Sequence, residues 1–175
     1  MAKNASFIRW AGGKGWFIPV VQDMIQNLQF NNYIEPFMGG ASIFFALDLP
    51  NKAYLSDINE ELVNTFTQIR DNLHAVTEKL KEYKTDKDSY YVIREKEPTD
   101  LIEQAARFLY LNFYSFNGIY RVNSKGKYNV PYGRKGEMLT YDRTCNIGGK
   151  AARRGKVQEY IFTNIPGVKR EEAEE

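Results

Sequence analysis

At 175 residues the chain has the size of one domain and can bury roughly 70% of the surface it exposes when unfolded. Its 43% hydrophobic content never runs unbroken for the ~18 residues that a membrane helix requires, and its single cysteine, Cys145, excludes an internal disulfide and a multi-cysteine zinc site and fits a reducing cytoplasm. The net charge of +2 hides an asymmetry: Arg107 to Lys156 carries eleven basic residues against Glu137 and Asp142, a balance of +9, while the rest carries thirteen basic against twenty acidic, or −7. One strongly cationic segment is an electrostatic footprint for a polyanion.

In chain order, Met1–Ala5 is not followed by the apolar run of a secretory signal. Arg9-Trp10-Ala11-Gly12-Gly13-Lys14 is a turn whose glycines let the backbone approach a ligand while Lys14 offers charge to a carboxylate or phosphate; a surface turn with a packed tryptophan is the competing reading. Apolar spacing predicts a helix over Ile18–Leu28, with Pro19 in its first turn. Tyr33-Ile34 opens a first strand that runs into Glu35-Pro36-Phe37-Met38-Gly39-Gly40, and Ala41–Leu47 reads as a helix. A second strand, Ala53–Ser56, ends at Asp57.

Strand, glycine turn and helix form the crevice in which open α/β sheets hold nucleotide-like molecules, and an acidic residue ~20 positions on is where such folds bind ribose hydroxyls. An adenosine-containing cofactor follows as the first hypothesis. Asp57 as a helix N-cap is the bland alternative, and Asn59 competes for that role.

Asn59 is predicted to cap a helix with Leu62, Val63, Phe66, Ile69, Leu73, Val76 and Leu80 on one face, and the lone His74 of this polar stretch anchors no metal cluster; no metal is expected. Lys84–Asp88 is a charged connector, and Tyr90–Arg94 and Leu101–Phe116 are further helices. From Asn117 the pattern breaks into short extended pieces, Ile119–Val122 and Tyr128–Val130, which suits a β-hairpin or ribbon-like loop. Beyond Asp142 periodicity is lost. The fold class read from these elements is α/β, a Rossmann-like sheet with helices followed by a helical and β-hairpin region.

The run from Phe108 to Arg134 interleaves rings with cations, as nucleic-acid surfaces do: cations neutralise phosphates, arginines read guanine edges and a wedge residue unstacks a base step. Phe108, Leu109 and Leu111 sit at helical spacing and face inward. Phe116, Asn117, Arg121, Lys125 and Arg134 lie in turn-rich sequence and face solvent.

These blocks resemble the Dam-type adenine-specific DNA methyltransferases. The match is carried by Arg9–Lys14, by Glu35–Gly40 with Leu55-Ser56-Asp57-Ile58-Asn59, and by Leu109–Asn123 followed by Tyr128–Arg134, within a similarity running from about Ser6 to Gly133. The resemblance implies S-adenosylmethionine as cofactor and double-stranded DNA as partner, with transfer of a methyl group to the N6 amine of adenine. Trp10 and Lys14 would hold the methionine part of the cofactor, with Gly12 and Gly13 between them. Glu35, Phe37, Gly39 and Gly40 would line its pocket, and Asp57 would bind its ribose. Phe116 and Asn117 would lie at the displaced base pair, and Arg121 and Arg134 would contact the recognition site. Phe113 stands where some relatives carry arginine, so the resemblance assigns no exact target sequence. The family's Asp-Pro-Pro-Tyr loop, which accepts the amine hydrogens and stacks on the flipped base, does not occur in the sequence. No catalytic residue is assigned, and the chain is expected to be truncated and inactive alone; the resemblance implies a partial Rossmann-like sheet, with 1–82 for the cofactor, 83–143 as a helical and β-hairpin recognition region for the DNA target and 144–175 as an atypical, poorly ordered tail. A nicotinamide-dependent oxidoreductase would require Gly-x-Gly-x-x-Gly, which the turn lacks. A non-catalytic DNA-binding remnant is the alternative from another class.

Overall fold

The computed structural model describes residues 6–47, 52–133 and the strand segments 138–145 and 155–162. It divides into two units, Met1–Gly133 and Arg134–Glu175.

The first unit is a mixed α/β arrangement. A single 3-10 turn, Gly15–Phe17, leads into α1 (Ile18–Ile25), with Pro19 in the first turn, where no amide hydrogen bond is lost. Next come β1 (Asn32–Glu35), α2 (Ser42–Ala46) and β2 (Lys52–Leu55). The two strands pair in parallel, Ile34 opposite Tyr54 and Glu35 opposite Leu55, as the intervening crossover through α2 requires. Phe44 of α2 lies against Tyr33, with ring centroids 6.4 Å apart. On the other face, the register pair Ile34 and Tyr54 is 69% and 55% exposed, although parallel sheets generally bury both faces.

Three longer helices complete this unit: α3 (Glu60–Lys81), α4 (Lys87–Glu95) and α5 (Leu101–Tyr114). Each starts on a polar cap. The side chains of Asn59, Asp86 and Asp100 accept from the amides of Leu62, Ser89 and Glu103 at 2.9, 2.8 and 2.8 Å, satisfying donors that the first turn leaves unpaired. Asn59, and not Asp57, is thus the cap of α3. Asp86 likewise starts α4 inside the segment read from sequence as a connector. Glu60 and Glu61 at the start of α3 and Lys79 and Lys81 at its end complement the helix dipole.

α5 packs along α3 and is buried from Ala105 to Tyr114 without interruption. It is the centre of the core and is surrounded by rings. Tyr110 lies 4.8 Å from Tyr114 and 5.4 Å from Tyr83, and Phe108 lies 5.5 Å from Tyr120. Residues on both sides of position 82 therefore share one core. Arg107 is buried with them, its guanidinium donating to the carbonyls of Ile93 and Arg94 at 3.1 and 2.6 Å.

α5 ends two residues earlier than its sequence pattern suggests, because Phe116–Gly118 forms a 3-10 turn in which Asn117 and Gly118 take φ of 56° and 64°. The following segment is a ribbon-like loop held by the isolated bridges Ser115–Tyr132 and Val122–Tyr128, not a regular hairpin. The second unit holds an antiparallel pair, β3 (Met138–Cys145) with β4 (Gly155–Phe162). These strands fall partly in sequence that shows no period. Among the described residues, no helix is long and apolar enough to cross a membrane.

Candidate functional site

β1 delivers Glu35 to the carboxyl end of the sheet, and the chain then turns through Pro36–Gly40 into α2. The turn is tied to the neighbouring strand: the Ser56 amide donates to the Glu35 carbonyl at 3.0 Å and the Met38 amide to the Ser56 carbonyl at 2.9 Å. Gly39 has φ of 49° and Ala41 φ of 54°, left-handed conformations that side chains resist. A Cβ on Gly39 would sit 2.8 Å from Trp10 Cδ1, and one on Gly40 would sit 2.9 Å from the Ile8 carbonyl oxygen. The Ser6 hydroxyl donates to the Gly40 carbonyl behind the turn. Only bare backbone fits between the Trp10 segment and the turn.

Asp57 closes the far side. One carboxylate oxygen accepts from the Gly39 amide and the other from the Asn59 amide, each at 3.0 Å. The carboxylate thus spans from the glycine turn to the start of α3, and each oxygen retains a further lone pair for a ligand hydroxyl.

Trp10, Gly12, Gly13, Lys14, Glu35, Phe37, Gly39, Gly40 and Asp57 all border one hollow of about 230 Å³. Ala11, Met38, Ser42 and Ile43 complete its wall; Ala11 and Met38 belong to the two motifs already named, whereas sequence patterning did not single out Ser42 and Ile43, which open α2. Three separate stretches, from the N-terminal turn, the first strand and the second strand, meet there.

Glu35 lies half-buried in this wall and accepts from the Tyr33 hydroxyl at 2.9 Å. Burial pushes its carboxyl above the ordinary glutamate value, against the opposing pull of the Tyr33 hydrogen bond, the Phe44 amide and the Lys14 charge. A carboxylate short of hydration is suited to a cationic ligand. The folded state holds this proton more tightly than the unfolded chain, so the group favours folding below the unfolded pKa, and that contribution is lost as pH rises through the raised folded value. Thermal melts of the ligand-free chain from about pH 4 to about pH 8 should therefore show Glu35→Gln equal to the parent at the acid end and modestly more stable at the neutral end. Equal melting across the range would contradict the burial argument.

The aromatic-basic segment is only partly a surface. Phe113 is buried, edge-on to Tyr114 at 4.8 Å. Phe116 is 52% exposed, and Asn117, Arg121 and Lys125 are exposed. The Arg121 guanidinium donates to Asn129 Oδ1 at 2.8 Å and to the Asn129 carbonyl at 3.3 Å, which spans the loop and presents the arginine on a fixed arm. Lys127 pairs with Glu97 at 2.6 Å. Arg107, counted in the cationic segment by sequence, is buried beside Glu61 at 3.7 Å and adds nothing to the surface. Arg134 lies outside the described residues.

Sequence reasoning missed Asn112, buried on α5. Its side-chain oxygen accepts from the Arg9 amide at 3.0 Å, while its nitrogen donates to the carbonyls of Arg9 and Gly118 at 2.7 and 3.1 Å. An amide in the middle of an apolar helical run was the available signal, because a buried amide requires partners.

A glycine turn between strand and helix, with an acidic residue just beyond the end of the next strand, is the arrangement at which open α/β sheets hold nucleotide-like ligands. The model of the family described as D12 class N6 adenine-specific DNA methyltransferase matches residues 10–149, and the chain belongs to that family. It is 39% identical over 136 residues to the type II methyltransferase M1.LlaDCHI of Lactococcus lactis subsp. cremoris, a match covering 73% of this chain and 47% of that protein. It is 34% identical over 157 residues to the type II methyltransferase M.MjaIII of Methanocaldococcus jannaschii, covering 78% and 54%. Against the DNA adenine methylase of Escherichia coli (strain K12) it is 34% identical over 141 residues, covering 77% and 49%. The chain spans about half the length of the curated relatives it matches.

Proposed function

We propose that the protein is a site-specific adenine methyltransferase acting on duplex DNA, and that this chain contributes its S-adenosylmethionine pocket and part of its target-recognition surface. The observation that carries this reading is the convergence of Trp10, Gly39, Gly40 and Asp57, from three separate stretches, on one hollow. The hollow fits the cofactor in chemistry. Asp57 offers carboxylate acceptors to ribose hydroxyls, the two glycines admit close approach, and Glu35 supplies negative charge for a sulfonium or ammonium centre. Lys14, with Gly12 and Gly13 beside it, supplies a cation for the cofactor's carboxylate, and Trp10 and Phe37 supply apolar walls. Bound there, the cofactor supplies an electrophilic methyl group on sulfur.

On the DNA side, Phe116 is an exposed ring placed to fill the space of a displaced base, with Asn117 beside it. Arg121, Lys125 and Arg134 are the cations for phosphates and base edges. The groups that accept the adenine amine hydrogens are assigned to no residue of this chain, whose sequence contains no Asp-Pro-Pro-Tyr. The lone Cys145 accords with work on DNA in the reducing cytoplasm.

Isothermal titration of the full chain with S-adenosylmethionine, and separately with sheared duplex DNA, tests this. Binding of both is expected, the DNA component weakening steeply with added salt. A chain that binds DNA and ignores S-adenosylmethionine would instead be the non-catalytic DNA-binding remnant, a reading favoured by the missing loop. Methyl incorporation into adenine by this chain would show that such amine-accepting groups lie among its residues.

A further inference from the structure

We propose that Tyr120 is a positioning residue that couples the glycine-turn pocket to the recognition segment, so that occupancy of one site changes affinity at the other. The inference rests on the functional reading above. It starts from a geometric fact: Tyr120 precedes Arg121 in the loop, yet its ring packs on the pocket wall. The ring lies nearly parallel to the Trp10 indole, at 5.3 Å and 29°. Phe108 backs both, at 5.5 Å from Tyr120 and 6.3 Å from Trp10. Trp10 in turn presses on Gly39, where no Cβ would fit.

A second route runs through the hydroxyl, which donates to Glu61 Oε2 at 2.9 Å. Glu61 lies in the first turn of α3, two residues after Asn59, whose amide donates to the same Asp57 carboxylate that holds Gly39. Burial raises the Tyr120 phenol to about 12, so it remains a donor to Glu61 at any physiological pH. A third route is Asn112, which clasps both carbonyls of Arg9 and Gly118, the residues at the roots of Trp10 and of the loop.

On the loop side, the Tyr128 ring meets Tyr120 at 5.7 Å and its hydroxyl donates to the Ile119 carbonyl at 2.7 Å. The Asn129 amide donates to the Arg121 carbonyl at 3.1 Å. Displacing the Arg121 arm when it engages a phosphate or base therefore drags the Tyr120 ring, and the ring carries Trp10 with it. Packing alone would be served by phenylalanine; the part-buried hydroxyl donates to the Glu61 carboxylate, a charge-assisted bond with directional demand.

Trp10 and Trp16 are the two tryptophans, and Trp16 is exposed and outside the pocket wall. A Trp16→Phe background thus makes Trp10 the sole indole reporter. In that background, sheared duplex DNA should shift Trp10 emission and raise S-adenosylmethionine affinity about fivefold or more, the lower range of ordinary site coupling. Tyr120→Leu should abolish the emission shift and bring the ratio of affinities with and without DNA to within about twofold of unity, a ratio that cancels effects common to both measurements. Tyr120→Phe and Glu61→Gln keep the ring stack and are the variants to use should Tyr120→Leu fail to fold by circular dichroism. Each should lower the ratio, and the double variant should lower it no further. An unchanged ratio in all three, or a parent that binds both ligands with a ratio of one, overturns the coupling while leaving the pocket assignment intact. A parent that binds neither ligand overturns both.

Discussion

Gly39→Val should lower the affinity for S-adenosylmethionine by ~100-fold or more, equivalent to about 2.7 kcal/mol. Two costs act together at this position. Its φ of 49° is one that a side chain resists, by roughly 1–2 kcal/mol for an ordinary residue. The new Cβ would also lie 2.8 Å from Trp10 Cδ1, so either the indole leaves the pocket wall or the turn opens. Opening the turn draws the Gly39 amide away from Asp57, and the acceptor assigned to the ribose loses one of the two amides that orient it. Gly15→Ala is the matched control, because a Cβ there meets nothing within 4 Å and Gly15 is not in the pocket wall. Isothermal titration should find its affinity within about twofold of the parent, inside the scatter of neutral surface changes. Retained binding in Gly39→Val would mean that the ligand does not approach the turn.

Gly133→Ala should be the most destabilising small substitution in the loop. Its Cβ would overlap the Phe116 Cα and lie 2.5 Å from the Phe116 nitrogen, which are backbone atoms that no rotamer change can move. The two strands of chain would have to part. The bonds from the Gly133 amide to the Tyr114 carbonyl and from the Phe116 amide to the Pro131 carbonyl, each 2.9 Å, would be lost. Overpacking with loss of these bonds amounts to about 2–4 kcal/mol, or roughly 5–15 °C in melting midpoint for a chain of this size. Because Phe116 and Asn117 are released from their fixed positions, DNA affinity should fall as well. Gly126→Ala is the contrasting loop variant, with a conformational cost and no overlap: φ is 75° but the space is open, so its loss should stay near ~1 kcal/mol. Equal melting of Gly133→Ala and Gly126→Ala would show that the 116–133 contact contributes little.

Local chemistry was legible before any fold was known. The Glu35–Gly40 turn, Asp57 just beyond the following strand and the Asn59 cap each follow from short-range rules about glycine, acidic residues and helix starts, and the bonds that Asp57 and Asn59 accept from backbone amides obey those rules. The burial of Phe108, Leu109 and Leu111 is equally a matter of helical spacing. Other elements were harder to read. Asp86 starts a helix inside what looked like a connector, and β3 and β4 pair across sequence with no period, because strand pairing is settled by a partner distant in the chain.

Charge by itself misled at Arg107, where sequence counts a cation and the fold buries it against two carbonyls. The amino-acid sequence by itself thus determined which short segments can bend, cap and carry charge, since those properties belong to single residues and their immediate neighbours. Only the tertiary structure decided that the Trp10 turn and the Gly39 turn enclose one hollow, and that Tyr120 and Asn112 bind its wall to the Arg121 arm. The Asn112–Arg9 bond alone joins residues 103 positions apart, and no periodicity within either segment encodes the meeting; Phe108 and Asn112 of α5 create it by packing against and bonding the Trp10 segment.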